Sequence, residues 1–136
     1  IQLELRYEDV PTWLKRVYHR YDFEMNVNYF YQLPDPVLGV HRHYGTDQIR
    51  KGTHFVNSSR YSNPKLDALL DSGAGEPDAA KRTAKYKEIQ QILAEDMPVV
   101  NLFELEFLVV YNTKLKGVYG SAMGAYGSFR EGYLDD

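Results

Sequence analysis

Over residues 1–7 apolar and polar positions alternate. Ile1, Leu3, Leu5 and Tyr7 fall on one face, and Gln2, Glu4 and Arg6 on the other. That period of two predicts a half-buried strand. Asp9 and Pro11 then supply a cap and a first-turn proline, and Leu14, Val17 and Tyr21 follow at helical spacing. They predict an amphipathic helix over residues 10–20, with Trp13 and Tyr18 flanking its buried stripe. Alternation returns over residues 22–31. Phe23, Met25, Val27, Tyr29 and Tyr31 share one face; Glu24, Asn26, Asn28 and Phe30 share the other. Strand, helix and strand in this order predict a crossover and a parallel pair.

Residues 32–62 lose the period. Gly, Pro, Asn, Ser and His dominate, which predicts a long connection with a short helix near residues 37–43. Asn63-Pro64 is a strong helix start, Leu66, Leu69 and Leu70 give a buried face, and Gly73 suits a left-handed stop. A second helix is predicted over about residues 78–95. Tyr86, Ile89 and Leu93 form its stripe, widened by Ala79 and Ile92, and Pro98 ends it. Residues 99–111 are β-rich but too long for one ordinary strand, so a break is expected near Glu104-Leu105-Glu106. The last eighteen residues, "YGSAMGAYGSFREGYLDD", are glycine-rich with scattered aromatics and read as a tail.

Composition narrows the class. The 136 residues favour one domain, and 43 per cent hydrophobic with 26 per cent charged residues is ordinary for a globular chain. A net charge of −3 without a basic stripe argues against nucleic acid. Cysteine is absent, which removes disulfides and thiolate chemistry. The chain opens at Ile1 directly into a strand pattern, as expected of a piece of something longer.

Candidate chemistry is sparse. His41 and His43 form an H-x-H pair that on a strand would share a face; His19 and His54 stand elsewhere. No carboxylate lies at a convincing third position, so no metal site and no cofactor are expected. A small metal-dependent hydrolase using His41 and His43 is the rival reading from the enzyme class. Glu104 and Glu106 read as a solvated face, and the serines lack a nucleophile-elbow context. What stands out is aromatic: twelve Tyr, six Phe and one Trp, with Tyr29, Phe30 and Tyr31 in succession before Pro34. Ligands of α/β sheets sit at strand C-terminal ends, so these rings are either core or a pocket wall.

Four phrases carry a resemblance: "YDFEMNVNYFYQLPDP" (21–36), "YSNPKLDALL" (61–70), "RTAKYKEIQQILAEDMPVV" (82–100) and "YNTKLKGV" (111–118). Together they resemble the C-terminal part of the extracytoplasmic solute-binding proteins of peptide-type (family 5) ABC importers. The resemblance implies an α/β fold: a partial lobe of a two-lobed, type II periplasmic-binding-protein-like clamp, its sheet flanked by helices. It implies that residues 1–106 belong to the second lobe and that residues 107–136 cross back toward the first. It implies a periplasmic, non-enzymatic role, with a peptide or other small-molecule ligand, a membrane permease and the missing first lobe as partners. By the same resemblance the strand before Asp35-Pro36 ends at the cleft, so Asn28, Tyr29, Phe30, Tyr31 and Gln32 include ligand-site residues. Asn57 matches the family's loop asparagine and joins that set, and Arg60 stands where the family often has glycine.

One departure matters. The family's peptide binders place an Asp just before that turn, where it pairs with the peptide's free amine; Tyr31 and Gln32 stand there instead. Losing that charge-assisted bond costs roughly 1.5–3 kcal/mol, which favours sugars, aromatics, modified peptides or a cation held over ring faces. A third reading is an interaction module that self-associates through its aromatic tail.

Overall fold

Asn63 and Asp78 open the two helices that dominate the fold. In the computed structural model, which describes residues 2–106, 108–118 and 127–135, Asn63 Oδ1 accepts from the Lys65 and Leu66 amides at 3.0 and 3.2 Å. Asp78 Oδ1 accepts from the Lys81 amide at 2.9 Å. The chain divides at Val99 and Val100 into two units. The first holds helix α1 (Val10–Leu14), a π turn (Lys15–Arg20), a 3-10 turn (Pro36–Leu38), α2 (Val40–Tyr44), a second 3-10 turn (Thr46–Gln48), α3 (Pro64–Ala74) and α4 (Ala79–Asp96).

Helices α3 and α4 are joined by a short loop and pack through Leu66, Leu70, Ile89 and Ile92. Val40, Tyr44, Tyr61, Leu69, Tyr86 and Leu93 close around that core. Polar links guard its ends: Tyr61 and Asn63 both donate to Asp96, and Lys65 pairs with Glu88 at 2.8 Å. The predicted ends need one correction. Gly73 does not stop α3; it lies inside the helix, where a Cβ would come within 3.3 Å of the Tyr86 ring. Its smallness lets the second helix approach. α4 ends as expected before Pro98, with Met97 in the left-handed region at φ 43°.

A second core gathers Val17, Tyr18 and Val56, with Trp13, Leu14 and Phe23 against it. The predicted helix over 10–20 is present, and Asp9 caps it through the Thr12 amide at 2.9 Å. Its second half, however, widens into the π turn, whose coarser winding shifts the phase of the buried face. Tyr18, expected on the flank, is therefore sealed in, while Tyr21 of the expected stripe is half-exposed at φ 54°.

The strands are the main correction. Residues 2–7, 22–31, 99–106 and 108–111 make no β ladder, so the expected parallel pair is not formed among the described residues. A strand is stabilised by its neighbours' backbone groups and side chains, and these stretches have no neighbouring strand here. Their apolar rows accordingly stand open, with Tyr7 91 % and Met25 78 % exposed. The ladder that is present belongs to the second unit, where β1 (Leu115–Lys116) runs antiparallel to β2 (Tyr133–Leu134), Leu115 opposite Leu134. Gly117 allows it: at φ 70° its Cα faces the Glu131 carbonyl, leaving no room for a Cβ. Residues 119–126 and 136 of the glycine-aromatic tail lie outside the described residues. The described architecture is mixed helix with a small two-stranded sheet.

Candidate functional site

The segment 28–32 is positioned by Tyr18. Buried by the π turn, its hydroxyl receives the Asn28 side-chain amide at 3.3 Å and shares hydrogen bonds with Ser58 and the Phe55 backbone. Burial pushes this phenol above its ordinary pKa, so it stays neutral and serves as a hub joining the 22–31 segment to the 54–58 loop. Sequence reasoning placed Tyr18 on a flank and missed this role; nothing in the helical period marks a π turn.

Along the segment the rings part. Phe30 turns inward onto the His43 ring, with centroids 3.8 Å apart. Tyr29, at 60 % exposure, and Tyr31 remain open to solvent. Arg42 of α2 donates to the Tyr31 carbonyl at 3.1 Å and so fixes the segment's end. The Gln32 side chain lies over Gly39, where an added Cβ would collide with it. Beyond the turn, Asp35 caps the Val37 amide and accepts from Arg82 of α4 at 2.8 Å. The Arg82 guanidinium and that amide hold the Asp35 carboxyl below its usual range.

Asn57 lies apart from these rings in role. It is buried, its amide donates to the Gly45 and Tyr61 carbonyls at 3.0 and 2.8 Å, and its oxygen accepts from Ser59. It ties the loop after α2 to the entry of α3. Arg60 stands at φ 59°, a backbone glycine adopts freely, with its guanidinium 5.2 Å from the Tyr21 ring centre.

The two histidines of the H-x-H pair are separated by α2. Two positions on a helix are turned about 200° apart, unlike two on a strand. His41 Nε2 lies 2.9 Å from the Tyr86 hydroxyl, while His43 is buried against Phe30 with its Nδ1 unbonded among the described residues. Among those residues no group of three or more His, Cys, Asp or Glu gathers for a metal ion.

Burial, aided by the Arg42 charge, pushes His43 down to about 4. The unfolded chain holds the proton more tightly, near the ordinary imidazole value of about 6.5, so stability is full above that pH and is lost as pH falls toward the folded value. The expected loss is about 1 kcal/mol per pH unit below roughly 6.5. His41, also lowered by burial, acts in the same direction. Urea midpoints of the protein and of His43→Phe across this window check it; parallel curves would exclude His43 as the source.

A shallow cleft beside the turn is lined by Asp35, Leu38, Ala74, Glu76, Pro77 and Arg82. Its charges already pair, Arg82 with Asp35 and Glu76 with Lys85 at 2.9 Å, so it offers little to anchor a polar ligand. The exposed tyrosines are the better candidate surface.

Comparison with known proteins finds distant relatives. A probable D,D-dipeptide-binding periplasmic protein, DdpA, of Escherichia coli (strain K12) is 29 % identical over 97 residues, 71 % of this chain and 18 % of that protein. Protein XP55 of Streptomyces lividans is 34 % identical over 67 residues, 49 % of this chain and 12 % of that protein. A probable ABC transporter periplasmic-binding protein, SapA, of Escherichia coli (strain K12) is 30 % identical over 69 residues, 51 % of this chain and 13 % of that protein. The chain is distantly similar to periplasmic binding proteins. It spans less than a fifth of the length of these relatives. No protein-family model and no solved structure matches it. Among the described residues no helix is long and apolar enough to cross a membrane.

Proposed function

We propose that this chain is part of the substrate-binding component of an extracytoplasmic ABC importer, which captures a small solute and hands it to a membrane permease without chemistry. The observation that carries the reading is the similarity to the Escherichia coli D,D-dipeptide-binding periplasmic protein over 71 % of the chain. On this reading residues 1–106 contribute to the second lobe of a two-lobed clamp and residues 107–136 run back toward the first. The β-patterned, unladdered stretches would then pair with strands of a larger sheet.

The ligand surface is assigned to Tyr29 and Tyr31. Phe30, seated on His43, fixes their direction, Asn28 holds the segment to Tyr18 and to the Tyr29 amide, and Gln32 lies beside them at the site's edge. Asn57 supports the neighbouring loop. Rings in this arrangement offer apolar area and π faces rather than a carboxylate. Because Tyr31 and Gln32 stand where the resembling peptide binders have Asp, a free α-amine loses its charge-assisted bond, and a blocked or modified peptide is the ligand we infer. Calorimetric titration of a longer protein containing this chain tests it, with a D,D-dipeptide and its N-acetyl form as probes. The acetylated form should bind at least as well, and Tyr31→Ala should weaken it by about ten-fold. This chain alone should bind far more weakly than the longer protein. Equal affinity, or indifference to Tyr31→Ala, would count against the assignment.

A further inference from the structure

Two histidines outside the ligand surface face each other. His19 closes the π turn, His54 lies in the loop that follows α2, and their Nε2 atoms are 3.0 Å apart, exposed to solvent. We propose that this pair is a binding site for a late first-row divalent cation, Zn²⁺, Cu²⁺ or Ni²⁺, held by two imidazole nitrogens with water completing its coordination.

The geometry fits the chemistry. Metal–imidazole bonds of about 2.0–2.1 Å at a tetrahedral angle set the two nitrogens roughly 3.3–3.4 Å apart, a few tenths of an ångström from the distance found. Neutral imidazole suits these ions, whereas Mg²⁺ and Ca²⁺ want oxygen ligands. The pair is also held in place. Gly52 donates its amide to the Tyr18 carbonyl at 2.8 Å and pins the loop to the turn. The His54 ring packs 5.8 Å from Tyr18 and the two histidine rings lie 5.2 Å apart, centre to centre. Next to His54, Phe55 holds φ 58°, a conformation that costs a bulky residue energy and is found where local structure is over-determined. The π turn that carries His19 is a second irregular backbone feature beside the pair, and such turns recur at functional sites. An exposed hydrogen bond between two imidazoles gains little by itself, yet two irregular backbone features converge on it. The described residues supply no third protein ligand, which leaves open positions for water or for a ligand atom.

Untagged full chain titrated with ZnCl₂ and NiCl₂ by calorimetry, with imidazole nitrogen signals followed by NMR, tests the site. One equivalent should bind with a dissociation constant tighter than about 1 mM, and His19→Gln or His54→Gln should each weaken it about ten-fold or more. His41→Gln should change nothing. His54→Gln, on a loop, guards against loss of fold in the helical variant, and far-UV spectra of each variant must match the parent. Absence of binding at that concentration, binding that survives both substitutions, or sensitivity to His41→Gln instead would overturn the proposal. Importer activity is not involved, so failure here leaves the solute-binding reading untouched.

Discussion

Leu66→Ala is expected to destabilise the first unit by about 2–5 kcal/mol, the largest effect of any single change considered. Leu66 is fully buried between α3 and α4 and touches the core formed with Leu70, Ile89 and Ile92. Truncation removes transfer free energy and leaves a cavity that two helices joined by a short loop cannot easily close. Urea denaturation followed by far-UV dichroism measures it. Leu69→Ala, at a half-exposed position of the same helix, should cost clearly less. Equal midpoints for the two variants would contradict the packing described.

Asn57→Ala is expected to cost about 1–3 kcal/mol. Its side chain satisfies two carbonyls and one hydroxyl, and alanine leaves the Gly45 carbonyl, in a buried setting, without its donor. The prediction separates two roles. A tether loses stability whether or not ligand is present. A ligand contact would lose affinity at unchanged stability. Thermal melts with and without the N-acetyl dipeptide distinguish them, and an unchanged melt combined with lost binding would return Asn57 to the ligand surface.

Local chemistry was the legible part of this chain. Asn63-Pro64, Asp78 and Met97-Pro98 mark helix ends through groups a few residues away, and the spacing of Leu66, Leu70, Ile89 and Ile92 is set by the helix itself. What depends on distant partners was not. Alternation over residues 2–7 and 22–31 states a preference for strand, but a ladder needs backbone groups from elsewhere. The short helix expected near residues 37–43 is present as Val40–Tyr44, and it is this helix that turns His41 and His43 apart. Tyr18 became a hub because the π turn moved it inward by a fraction of a turn. The tyrosine run was legible as a feature, and its split into inward Phe30 and outward Tyr29 and Tyr31 follows from strand-like alternation kept without a strand partner.

The apolar stretch over residues 99–110, exposed at 100–106 and 108–110, has a consequence for the life of the protein outside its fold. It is rich in Val, Leu and Phe, and Glu104 and Glu106 are the charges it carries. Stretches of this kind stack into cross-β fibrils, and like charges in register oppose that stacking. Two glutamates thus act as gatekeepers against a seeding event that the rest of the run invites.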